Sequence, residues 1–192
     1  MKALFAAASV VALMAGAPAW AQVAMHQVTT HPHSLASQDR EFMVKAGDGS
    51  LAEVQLGTLA AEKSSNPAVQ EFGRWMVTDH SLANKRLTTI AQELGQPELH
   101  PTLTRQDIAV KDKLQGLSGS RFNWQYLQIM VKDHKKDVQL FRKEAQEGQK
   151  PQLKRYAQNL LPVLQQHLAE AEELSSLTGA TATGSSINPH RR

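Results

Sequence analysis

Four apolar stripes at helical spacing, each bounded by glycine, proline or a short polar residue, restrict this chain more than any other feature of its sequence. Between Ser37 and Lys63, the residues Phe42, Ala46, Gly49, Leu56 and Ala60 recur at heptad spacing, with Glu53 in the same row. A second stripe opens at Asn66-Pro67, runs through Val69, Gly73, Met76, His80, Ala83, Leu87, Ile90 and Leu94, and stops at Gly95. The third runs from Ser120 to Glu147 and carries Leu127, Met130, Val131, His134, Val138 and Phe141 before Gly148. The fourth opens at Lys150-Pro151 and carries Leu153, Ala157, Leu160, Leu164, His167, Ala171 and Leu174, fading at about Leu177. An apolar period near 3.6, with proline at the start and glycine past the end, predicts helices.

Short connections at residues 64–66 and 148–150 predict two antiparallel helical hairpins. The longer segment from Gly95 to Gly119 is the crossover expected of a ferritin-like four-helix bundle. Within it Thr104-x-x-Asp107 approximates a capping box and predicts a short helix to Gly116. Ser37 is the expected N-cap of the first helix, with Asp39 and Glu41 in its first turn. Pro162 falls inside the fourth, where it removes a backbone hydrogen bond and predicts a kink or bulge.

The two ends read differently. MKALFAAASVVALMAGAPAWAQ has a basic start, a short apolar run and an Ala19-Trp20-Ala21 site, the pattern of a secretory signal cut after Ala21. The expected location is therefore the periplasm or the medium, and no later stretch is apolar enough to span a bilayer. Residues 22–36 and 178–192 are polar, lack a period and are expected to be disordered, His26, His31 and His33 included. There is no cysteine, so no disulfide forms and a metal site has only His, Asp and Glu to draw on. The formal charge of +3 comes from acids and bases interleaved along the helices, which argues against a nucleic-acid surface.

The two hairpins align with each other. Placing Asn66-Pro67 on Lys150-Pro151 brings Glu53-Val54-Gln55-Leu56 onto Asp137-Val138-Gln139-Leu140 and Phe42-Met43 onto Tyr126-Leu127, so the chain reads as an internal duplication. A three-residue insertion near Pro162 then sets His80 on His167. The pentapeptide Met-Val-x-Asp-His also occurs twice, at 76–80 and 130–134, but His134 falls opposite Ser50 and is not a copy.

Each helix thus has an ionisable residue near its middle: Glu53, His80, His134 with Asp137, and His167. Counted from the hairpin turns at ~1.5 Å per residue, these reach one level to within roughly 10 Å. Burying such groups singly is costly, so they need one another, water or a cation. The pattern predicts a metal centre with His80, His134, His167, Glu53 and Asp137 as candidate ligands. Imidazole and carboxylate donors suit zinc, iron or manganese. Asp79 and Asp133 point away from their neighbouring histidines and are expected to orient imidazoles on adjacent helices; Glu170, three residues after His167, is a further supporting group. The competing expectation is a metal-free polar layer that sets helix register.

The runs FMVKAGDGSLAEVQLGTLAAEKSSNPAVQEFGRWMVTDH, YLQIMVKDHKKDVQLF and LPVLQQHLAEAEEL resemble the secreted bacterial family called domain of unknown function 4142, over about Gln38 to Leu177. The resemblance implies a ferritin-like bundle and supplies no function. In the ferritin-like di-metal pattern, lone carboxylates match Glu53 and Asp137, and the histidines match His80 and His167. The acids three residues before those histidines are absent, replaced by Val77 and Leu164, which fits a single metal, or none, better than two. Gly47-Asp48-Gly49 reads as close helix packing rather than a phosphate loop, and no nucleophile has an attached base. Two functions are therefore expected to compete: a periplasmic single-metal bundle with a structural or stress-protective role, and a metal-free module that docks an envelope protein.

Overall fold

The computed structural model describes residues 35–184, with side chains to Thr178, and every element among them is a helix. The signal segment, the three leader histidines and residues 185–192 lie outside the described residues. In order the helices are α1 (Ser37–Lys63), α2 (Pro67–Glu93), α3 (Arg105–Gln115), α4 (Gly119–Glu147) and α5 (Pro151–Gly184). The long helices pair as α1 with α2 and α4 with α5, and the pairs join through α1–α4 and α2–α5 contacts. Helix α3 lies against α1 and α4.

Local chemistry explains most of the boundaries. Asn66 Oδ1 accepts from the backbone N–H groups of Ala68 and Val69 at 2.9 and 3.4 Å, satisfying donors at the start of α2. Thr104 and Asp107 complete a reciprocal capping box on α3. Two boundaries depart from expectation. Ala36, not Ser37, is the residue before α1, and it makes no side-chain cap. Helix α5 continues through Pro162 and past Leu177 to Gly184, where Thr178 donates its hydroxyl proton to the Leu174 carbonyl.

Asp39, expected as a first-turn acid, is buried and spans to the other hairpin. Its two oxygens accept from the backbone N–H groups of Gln149 and Lys150 at 2.9 and 3.0 Å. These bonds tie the turn between α4 and α5 to α1 and satisfy the Lys150 N–H at the start of α5. Glu144 is buried beside it. Gly148 is the only residue type that leaves it room, since a Cβ there would lie 2.3 Å from Glu144 Oε1. Burial, then the charge of Asp39, raises the Glu144 carboxyl from 4.5 to about 7.

A carboxyl raised in the folded state favours folding at low pH. The folded protein keeps its proton between 4.5 and about 7 while the unfolded chain loses it, so stability falls as pH rises through that window. Glu144→Gln, which keeps the shape without the charge, is expected to remove this slope. Urea midpoints at pH 5 and pH 8 should differ less in the variant, by on the order of 2 kcal/mol of unfolding free energy.

The core is divided in two. One apolar cluster includes Phe42, Leu87, Phe141, Leu153, Tyr156 and Leu164; the other includes Leu56, Phe72, Met76, Tyr126, Leu127 and Leu174. Each long helix contributes to both, and on each the ionisable residue lies between its two contributions. At the α1–α2 crossing the backbones touch: a Cβ on Gly57 would fall 2.7 Å from the Gly73 carbonyl oxygen, and one on Gly73 the same distance from that of Gly57. The polar layer is therefore held between two hydrophobic clusters.

Candidate metal centre

The histidine stripe positions predicted for α2, α4 and α5 bring His80, His134 and His167 together. All three are buried, at 3%, 0% and 0% exposure. Their ring centroids lie 5.4 to 5.6 Å apart, and one nitrogen from each ring lies within 4.8 Å of one from each of the others.

The hydrogen bonds on the backs of the rings decide what faces the middle. His80 Nδ1 lies 3.0 Å from Glu53 Oε2 and 3.3 Å from Ser50 Oγ. His134 Nδ1 lies 3.0 Å from the Met130 carbonyl oxygen and 3.1 Å from Glu53 Oε1. His167 Nε2 lies 3.0 Å from Asp79 Oδ2. These neighbours are acceptors, apart from the Ser50 hydroxyl, which can act either way, so each of these nitrogens carries the ring proton and donates it. The nitrogens left with lone pairs are His80 Nε2, which has no partner, and His134 Nε2 and His167 Nδ1, which face each other at 3.4 Å.

One proton on His134 Nδ1 cannot serve two acceptors equally. The Met130 carbonyl takes it, and Glu53 Oε1 is left buried without a hydrogen bond of its own. The Glu53 carboxyl is nonetheless held below its usual range. Burial pushes it upward, but interaction with the His80 and His134 rings, which attract the carboxylate when protonated, and the His80 hydrogen bond together prevail. Burial lowers His134, and burial followed by repulsion from His80 and His134 lowers His167 to about 4. Both shifts favour the neutral imidazole of His134 and His167, the form that binds metal.

The other predicted residues fall elsewhere. Glu53 is behind the rings of His80 and His134, not at the point where their free nitrogens converge. Asp79 reaches across from α2 to His167 on α5. Asp133, expected to brace a histidine, instead pairs with Lys136 at 2.8 Å. Asp137 does not join the three imidazoles; it lines a 340 Å³ cavity between α1, α3 and α4 that also reaches Glu53 and Asp133. Burial, then the charges of Glu53 and Asp133, raise its carboxyl well above the usual range. Glu170 makes no hydrogen bond or ion pair to the histidines among the described residues. The repeated Asp-His doublet thus has one working copy of its acid, Asp79.

The model of the family described as Domain of unknown function (DUF4142) matches residues 24–174. The chain belongs to this family. No curated protein and no solved structure matches this DUF4142 chain.

Two groups escaped the sequence reading. Ser50 lies one helical turn before Glu53 on α1 and could have been found by extending that row backward. Trp75 lies nearly perpendicular to the His167 ring with centroids 4.8 Å apart and walls the site on that side. Gly47, in the Gly-Asp-Gly run, packs against Pro101 of the crossover, where a Cβ would meet Pro101 Cγ at 3.2 Å.

Proposed function

We propose that this domain is a periplasmic or secreted ferritin-like bundle that holds one transition metal between His80, His134 and His167, in a structural or stress-protective role. The observation that carries the reading is the arrangement of the rings: each donates a proton to a neighbour outside the cluster, and one nitrogen from each lies within 4.8 Å of one from each of the others. Imidazoles braced from behind by carboxylates and carbonyls are the usual setting of histidine-bound metal. Bonds of about 2.0–2.1 Å in tetrahedral geometry need nitrogen separations of about 3.3–3.4 Å. The His134–His167 separation of 3.4 Å already has that length, so closure needs movement chiefly of His80. Glu53 and Asp79 lie behind the ligands, and their two negative charges balance a divalent ion. Zinc, iron and manganese all suit this donor set. The α1–α2 and α4–α5 pairs joined by a long crossover support the ferritin-like topology, and the leader pattern supports export.

Elemental analysis of the purified protein is expected to give about one metal per chain. Adding zinc, iron or manganese to chelated protein should raise its stability by about 4 kcal/mol at a thousandfold excess over Kd. One observation favours a second reading. A nitrogen pair at 3.4 Å can also share a proton, giving a metal-free layer in a module that binds an envelope partner. Metal-free protein whose melting is unmoved by all three ions would establish that alternative.

A further inference from the structure

A second, much smaller cavity touches the cluster from the side of α5. Its volume is about 20 Å³, and His80, His167, Ser50 and Asp79 contribute to its wall together with Ala83, Phe141 and residues of α5 that include Val163 and Leu164. A water needs roughly 10–15 Å³ of such space, so this one holds a single water or the end of a slender anion.

Resting on the single-metal reading above, we propose that the metal keeps one coordination position open toward this cavity, where it takes one small exchangeable ligand. Water, hydroxide or a narrow linear anion has the required chemistry. The inference follows from donor counting. No fourth side chain joins the three imidazoles among the described residues. Glu53 is turned to their backs, Ser50 lies on the Nδ1 side of His80, and Asp79 Oδ2 is engaged with His167. A three-histidine ion is short of its coordination number, and sites of this kind fill the remaining position from solvent. His80 Nε2 is buried and unpartnered, and the ring to which it belongs lines the cavity. The apolar wall from Ala83, Phe141, Val163 and Leu164 limits the ligand by width, while Ser50 and Asp79 give it polar neighbours.

Cobalt(II) is the probe, because its visible spectrum reports coordination. Protein with one cobalt per chain by elemental analysis should show a saturable spectral change with azide and none with the broader imidazole. Ala83→Val and Val163→Phe narrow the cavity from opposite helices. Whichever of them melts cooperatively should keep its cobalt and lose azide affinity by about tenfold or more. Fully loaded protein whose spectrum ignores azide overturns the open position while leaving the metal site intact. So do folded variants that bind azide like the parent. Protein that takes up no cobalt removes the metal site itself, and this inference with it.

Discussion

On the proposed single-metal reading, His134→Ala is expected to leave the purified protein without a metal ion. His134 is the central member of the cluster: its Nε2 makes the 3.4 Å contact with His167, and its Nδ1 is fixed by the Met130 carbonyl of its own helix and by Glu53 of α1. Removing it leaves two imidazoles on α2 and α5, too few to retain an ion against buffer and chelator. The loss should exceed the roughly 10- to 100-fold that removal of a bracing group costs. Elemental analysis after dialysis without added metal reads the result directly. His100→Ala, at an exposed site on the crossover, is the matched control and should retain the parent's metal content.

Glu53→Ala is expected to have the largest effect on stability. Glu53 is 3% exposed and touches two rings from behind, so its loss leaves the His80 Nδ1 proton buried with only the Ser50 hydroxyl near it. Removing one partner of a buried, hydrogen-bonded charge typically costs about 3–5 kcal/mol. For a domain of this size that lowers the melting temperature by about 6–20 °C. Metal affinity should also fall, by about 10- to 100-fold, since the residue orients ligands without being one. Glu53→Gln separates the two effects: its carbonyl oxygen still accepts from His80, so stability recovers in part, while the lost charge keeps metal binding weak. Denaturant midpoints of both variants, with and without added zinc, provide the measurement.

Much of the architecture could be read from the chain because it rests on local rules. Asn66-Pro67, the Thr104–Asp107 box and the terminal glycines act within a few residues of where they stand. Counting from the hairpin turns placed Glu53 and the three histidines at one level, because the rise of a helix is nearly constant. What could not be read depends on side-chain direction and on contacts distant in sequence. The ring face that each imidazole presents inward follows from its torsion angles, so the position of Glu53 behind the rings was not evident. Asp133 and Asp79 share the same sequence context, yet Asp133 faces the cavity beside α1 and α3, neither of which carries a histidine, whereas Asp79 meets His167 of α5. Asp39 holds the backbone of a turn more than a hundred residues away. Gly148 is explained by the volume of Glu144, where its sequence position suggested only a helix end.

The division of the core bears on how an ion would come and go. Since all four long helices are clamped by greasy packing above and below the imidazoles, fraying at either tip does not expose the waist. Release would require the middle of the molecule to breathe while both ends hold, and residence would accordingly be long. On the single-metal reading, a chain of this design would acquire its ion most readily while it is still folding.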